Sequence, residues 1–395
     1  MTKPSERPFE YLLRKKDGDG NNERKGQKFD ETIVKNWYRA RVFVLHFFHD
    51  VSITPEEKKH LHVIVDGDSE LMLSVVRQVA LTAHFPNYDE DGRRNRTVIT
   101  VVRSKDKTDM DIIRLLKKEE YLGNLLDYCR YTADGKTEHP DSYIDLELKI
   151  ETARPTIDSK KEIEKKVCDQ DVMSYCDSLH ETGTIDTSKA QYADRMYNLG
   201  AEIVNLPYAD IHSVERYSLA MDVFLFTRMN KPLGKLVKED KWSAEENQAE
   251  VLMSLSNIFC SDCFSIRYNS IRPYWETEKK SGNPGMTEKQ AWETHYLALS
   301  KSEHARWVVE KLIMGYLPLD NRQRLRDEGN IRDKALKKQF RKELKFNWQS
   351  PAHIDLCSFS ELRRVDPDNM KFDSFLMLGI PHILKKVGEI PNPKA

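Results

Sequence analysis

His62-Val63-Ile64-Val65-Asp66-Gly67-Asp68-Ser69-Glu70 opens the stretch whose reading decides the fold. An apolar β-prone run stops at a tight polar turn, an apolar helix is expected from Leu71 to His84, and Thr97-Val98-Ile99-Thr100-Val101-Val102 follows as a second strand. Strand, turn, helix and strand make a βαβ unit, and so long a crossover sets its strands parallel. Further strands are expected at Tyr143 to Ile150, Glu202 to Leu206 and Asp222 to Thr227. Helical segments are expected around Lys160 to Leu179, from Lys189 to Leu199 with Gly200 closing it, and from Ser243 to Phe259. Upstream, Asp17-Gly18-Asp19-Gly20-Asn21-Asn22 reads as a loop, and Ile33, Trp37, Ala40, Val44 and Phe48 recur near helical period, the pattern of a docking helix.

Downstream, Gly282-Asn283-Pro284-Gly285 breaks both periodicities and marks a boundary. Thr287-Glu288-Lys289-Gln290 then reads as a capping box, opening a helix that runs to Met314 and stops at Gly315. The chain therefore divides into a flexible segment and docking helix over 1–55, an α/β domain over 56–280 and a smaller, mostly helical domain over 284–395. Two or three domains also suit 395 residues and 46.2 kDa.

Apolar residues make up 39% and charged residues 32%, which excludes collagen-like and wholly disordered chains. Lys+Arg 63 against Asp+Glu 64 leaves a net charge of -1, so no chain-wide field draws in a nucleic-acid polymer and none is expected as a partner. An anion site must be local. The best apolar run, Val42 to Phe48, is far too short to span a bilayer, and the first seven residues lack the apolar core of a signal peptide, so a cytoplasmic location is expected. Six irregularly spaced cysteines are expected as free thiols. Cys260-Ser261-Asp262-Cys263 has no second pair or nearby His to complete a metal site, and Cys168 and Cys176 read as helix-packing thiols.

The loop after the first strand sits where dinucleotide folds place their phosphate turn, which makes Gly67, Asp68 and Ser69 the candidate cofactor-binding residues. Only Gly67 of the three expected glycines is present, with Ser69 and Met72 in the other places, and Asp66 and Asp68 would repel a pyrophosphate. The sheet is thus expected to serve as scaffold, with no cofactor. Asp66, Asp68 and Glu70 are the candidate acids and bases of an enzyme, but no G-x-S-x-G, P-loop or H-E-x-x-H occurs, so no catalytic residue is assigned.

His304, Trp307 and Lys311 stand at i, i+3 and i+7 of the last long helix, so one face presents an imidazole, an indole and an ammonium. An indole can stack on a base while Lys and His hold a phosphate. The plainer reading makes Trp307 core, His304 an interior histidine with its bonds satisfied and Lys311 a solvated charge. The run Ser302-Glu303-His304-Ala305-Arg306-Trp307 through Gly315-Tyr316, then Pro351-Ala352-His353-Ile354-Asp355-Leu356, Leu362 and Ile380-Pro381-His382-Ile383-Leu384, resembles the RyR domain repeated in ryanodine receptors and found in many bacterial proteins. The likeness covers about a quarter of the chain, from Thr287 to Lys386. Family members carry Trp where this chain has Tyr316, and the basic insertion Asn321 to Lys345 separates the two halves more widely than usual. In some bacterial members the module follows a Rossmann-like domain resembling the nucleotide-binding regulatory domain (TrkA-N) of potassium-uptake systems. The resemblance implies a Rossmann-like parallel-sheet domain followed by a small, mostly helical RyR domain, with Tyr316 and His353 joining the candidate ligand site. The insertion, with ten Lys/Arg against four acids, adds Arg341.

The expected function is a non-catalytic sensor of a small anionic, nucleotide-derived ligand, in bacterial stress or antiviral defence. The alternatives are an enzyme acting on a nucleotide or NAD-like substrate in the Rossmann-like domain, and a protein-interaction scaffold. A homodimer would form through an exposed sheet edge or the amphipathic helix Phe29 to His49.

Overall fold

The protein is described from a computed structural model over residues 36, 40–41, 44–45, 48, 51–118, 120–152, 166–171, 259–260, 262–319, 327–346, 352–366, 370, 373–374, 377–378 and 380–381. The strands expected at Glu202 to Leu206 and Asp222 to Thr227, the helix from Lys189 to Leu199 and Cys176 lie outside these residues.

Six strands form one mixed, mostly parallel sheet with helices packed against it, an α/β arrangement. They are β1 (His60–Asp66), β2 (Thr97–Val102), β3 (Arg130–Ala133), β4 (Lys136–Glu138), β5 (Leu146–Glu151) and β6 (Lys166–Asp171), in the order β4-β3-β5-β2-β1-β6. Every pairing is parallel except β3 with β4. Val63 lies opposite Ile99, and Ile99 opposite Leu148. All six residues of β2 are buried, as a central strand covered on both faces should be.

Helix α1 (Glu70–Thr82) completes the βαβ unit between β1 and β2. Ser69 caps it, its hydroxyl accepting from the Met72 amide at 3.3 Å. Helix α2 (Asp109–Leu116) starts on a full capping box between Thr108 and Asp111.

Two elements differ from the sequence reading. Lys166 to Asp171, expected within a helix, pairs in parallel with β1 instead. The buried β1 would otherwise leave the backbone groups of its outer edge unpaired, a cost that outweighs local helix propensity. The β3–β4 hairpin was not anticipated. Its turn is Asp134-Gly135 at φ 49° and 71°, the left-handed pair that a two-residue hairpin needs.

Beyond the sheet come α3 (Phe264–Ser281) and α4 (Glu288–Ile313), then the two-residue strands β7 (Leu317–Pro318) and β8 (Ala352–His353), α5 (Lys334–Phe346) and α6 (Phe359–Val365). Strands β7 and β8 pair in parallel. The capping box Thr287/Gln290 opens α4 as its sequence indicates. The Gly282–Gly285 stretch is a turn between two packed helices, and one core runs across it. Val308, Val309, Leu312, Ile313 and Met314 of α4 share a buried cluster with β1, α1, β2 and β5. Ala40, Val44 and Phe48, three positions of the docking helix, are buried in the same cluster. The first half of α4 belongs to a smaller cluster with Phe264, Ile271, Trp292, Met377 and Ile380.

Polar contacts join these parts. Arg41 grips Asp262 with two hydrogen bonds, at 2.8 and 2.6 Å, and Gln78 of α1 adds a third at 3.3 Å. Ser302 of α4 donates to the His84 carbonyl at 2.8 Å, while the His84 ring meets Asp145 at 2.8 Å. Glu90 accepts from the backbone amides of Phe359 and Ser360 at the start of α6. The backbones come close at Gly123, where φ is +51° and an added Cβ would sit 2.5 Å from the Ile313 carbonyl. Asn124 then donates from its amide to the Leu312 carbonyl at 3.0 Å and from its side chain to the Tyr316 carbonyl at 3.1 Å. Gly123→Ala meets both a left-handed backbone and a rigid carbonyl, so it is expected to cost about 1–3 kcal/mol, read as a lower denaturation midpoint with unchanged m-value.

Candidate ligand-binding site

The C-terminal turn of α4 builds the site. Gly315 adopts φ +85° and donates to the Leu312 carbonyl at 3.1 Å, and Tyr316 donates to the Lys311 carbonyl at 2.9 Å, the paired bonds of a Schellman cap. That cap folds Tyr316 back over Lys311. The chain enters β7 at once, and pairing of Leu317 with Ala352 and of Pro318 with His353 brings His353 alongside.

Five residues expected from sequence therefore meet. The His304 and Trp307 rings lie 6.1 Å apart and nearly parallel, at 20°. His353 stands edge-on to Trp307 at 4.9 Å and to Tyr316 at 6.1 Å. Lys311 Nζ sits 5.6 Å from the Trp307 ring and 5.8 Å from the Tyr316 ring, within cation–π range of both. Trp307 and Tyr316 are only partly buried, so the rings keep open surface, whereas His304 and His353 are buried.

Lys311 is not the solvated charge of the plainer reading. Its ammonium donates to Glu310 at 2.8 Å, the other Glu310 oxygen accepts from Arg306 at 2.6 Å, Arg306 also bonds Glu303, and Glu303 pairs with Arg267 at 2.7 Å. Positive and negative charges alternate through five side chains from α3 to the aromatic cluster, and Arg267, Glu303, Arg306 and Glu310 are almost fully buried. Burial pushes the Glu303 carboxyl up, but the Arg306 and Arg267 guanidiniums overcome it and hold the group at about 2. Glu310 is likewise held low, by Lys311 and Arg306 against its burial. The ladder holds three cations and two carboxylates and ends on the Lys311 ammonium between the two rings, while the Asp373 and Asp355 carboxylates lie behind His304 and His353.

His304 has both nitrogens engaged. Nε2 lies 2.9 Å from the Cys357 carbonyl and Nδ1 3.6 Å from the Asp373 carboxylate. Burial alone would lower its pKa, yet Asp373 and the Cys357 carbonyl raise it above the ordinary 6.5. Burial also pushes the Asp373 carboxyl up. A folded-state value above the unfolded one means that the imidazolium stabilises the fold below about pH 6.5 and that this contribution is lost as pH rises through the folded pKa. The melting temperature should therefore rise by a few degrees as pH falls from about 8 to about 6, and Asp373→Asn should abolish most of that rise.

The remaining candidates lie elsewhere. Arg341 belongs to α5, and its side chain is outside the described residues. Gly67, at φ +126°, donates to the Val102 carbonyl at 2.7 Å, and the Ser69 hydroxyl is committed to capping α1. The Asp68 carboxylate accepts from the Ser104 amide at 3.1 Å, the Ser104 hydroxyl at 2.6 Å and Lys107 at 2.7 Å. Burial would raise its pKa, but these donors hold it below the usual carboxylate range. An anion entering this loop would have to displace the protein's own carboxylate. Cys260 and Cys263 are free and buried, and burial pushes the Cys263 thiol up to about 12, well away from a reactive or metal-ready thiolate. Among the described residues, no group of three or more His, Cys, Asp or Glu could hold a metal ion. A shallow cleft lined by Tyr88, Glu90, Lys301 and Phe359 also borders His304.

Sequence reasoning missed the ladder and Asp373. Arg306 lies about 100° from Trp307 around the helix, and the spacing of Glu303, Arg306 and Glu310 at i, i+3 and i+7 is the available signal for the ladder.

Comparison with family models, with curated proteins and with solved structures finds no match to this chain.

Proposed function

We propose that the cluster of His304, Trp307, Lys311, Tyr316 and His353 binds a small anionic ligand with a flat ring system, a nucleotide or nucleotide-derived signal, and that the chain acts as a non-catalytic sensor. One observation carries the reading: two partly open aromatic rings flank an ammonium that ends a buried ladder of alternating charges. The rings suit a base and the ammonium suits a phosphate. The likeness of 287–386 to the RyR domain supports a ligand-binding module here. The strand order β5-β2-β1-β6, which is third, second, first, fourth once the β3–β4 hairpin is set aside, supports a Rossmann-like reading of the sheet. Its loop at Asp68 is internally satisfied, which supports a scaffold role for that part.

Isothermal titration with cyclic dinucleotides, cyclic trinucleotides, NAD and ADP-ribose tests the proposal. Saturable heat with at least one of them is expected. Absence of binding across the panel at millimolar ligand sinks the nucleotide reading.

A further inference from the structure

Helix α5 (Lys334–Phe346) carries two separate stripes. Its six basic positions, 334, 337, 338, 341, 342 and 345, fall within an arc of about 140° at roughly 100° per residue, and three of its five apolar positions, 336, 340 and 344, fall within another of about 80°, with 335 and 346 on the far side of the basic arc. The only acid in the helix is Glu343. Lys334 and Lys338 are exposed, Lys337 reaches Glu328 at 3.5 Å, and Leu336 is 59% exposed, the most open large apolar side chain among the described residues. The thirteen residues extend over about 20 Å.

We propose that α5 docks the protein on an anionic lipid surface, lying in the interface with its apolar stripe inward and its cations among the headgroups. This proposal is independent of the ligand site. A buried helix would hide Leu336, and a purely solvated one has no use for an apolar stripe. A phosphodiester polymer would engage the cations and leave the exposed Leu336 idle, whereas an anionic bilayer engages both. The chain's near-zero net charge makes the stripe a local feature, so attraction is confined to this helix.

The test is sedimentation of the full chain with vesicles of phosphatidylcholine alone, with vesicles containing about one third phosphatidylserine, and with poly(U) as a lipid-free polyanion. Preferential binding to the anionic vesicles is expected, weakening as salt is raised. The exposed double variant Lys334→Glu/Lys338→Glu should lose roughly tenfold or more in partitioning. Leu336→Ser, which leaves the charge unchanged, should weaken vesicle binding severalfold. Both variants should melt with the parent, because the altered side chains are open to solvent. Binding to neither vesicle, equal binding to both, or vesicle binding untouched by Leu336→Ser overturns the proposal. Binding to poly(U) without binding to vesicles assigns the stripe to a nucleic-acid partner instead.

Discussion

Glu303→Ala is expected to lower the melting temperature by roughly 10 °C, the largest stability loss of any single change considered. Removing the carboxylate takes a partner from two buried guanidiniums, Arg267 at 0% exposure and Arg306 at 1%. Breaking a buried pair from one side typically costs about 3–5 kcal/mol, because the remaining charge keeps its desolvation penalty and loses its partner. Arg306 would retain Glu310, at 2.6 Å, so Arg267 suffers most. The effect also depends on pH. The folded-state pKa of Glu303 is depressed from 4.5 to about 2, so its contribution is complete above about pH 4.5 and disappears as pH falls toward 2. The variant should therefore lose part of the acid sensitivity that the parent shows in that window, measured by melting at a series of pH values.

Trp307→Ala and Lys311→Ala should separate ligand contact from packing. An indole stacked on a base contributes about 1–3 kcal/mol to binding, so Trp307→Ala should weaken affinity by about ten- to a hundredfold for whichever member of the nucleotide panel binds. Lys311→Ala should weaken binding and flatten its dependence on salt by about one phosphate contact. Neither change should unfold the domain, since Trp307 is only partly buried and Glu310 keeps Arg306 when Lys311 is removed. A Trp307→Ala protein melting far below the parent, beside a Lys311→Ala protein that binds normally at low salt, would show that this face is structural.

The parts of the fold that were legible in the sequence are those whose local chemistry agrees with their packing. Val63 to Val65 and Val98 to Val102 are β-prone and buried, and the turn between β1 and α1 carries its own cap in Ser69. Thr287 and Gln290 announce α4 by spacing alone. Lys166 to Asp171 was not legible, because a charged, polar segment becomes a strand through the edge of β1 and not through its own propensity. The Asp134-Gly135 hairpin was legible and overlooked, since that dipeptide between Thr132 and Thr137 is a strong two-residue turn signal. At the site, helical spacing placed His304, Trp307 and Lys311 together, and the Schellman cap at Gly315 added Tyr316. The approach of His353 depends on the β7–β8 pairing across a separation that no spacing rule covers. The placement of Asp373 against His304 is equally non-local, which is why the histidine's environment could be read only from coordinates.

The indole proton resonance of Trp307, assigned by its disappearance in Trp307→Phe, gives the most direct measurement of the central claim. Titration with ADP-ribose, NAD and the cyclic nucleotides should shift this signal saturably with at least one of them. The indole signals of Trp292, buried in the smaller core, and of Trp275, bonded to the Met286 carbonyl at 3.1 Å, should stay in place. A ligand that binds by calorimetry and leaves the Trp307 signal unmoved would contradict a binding site at this cluster.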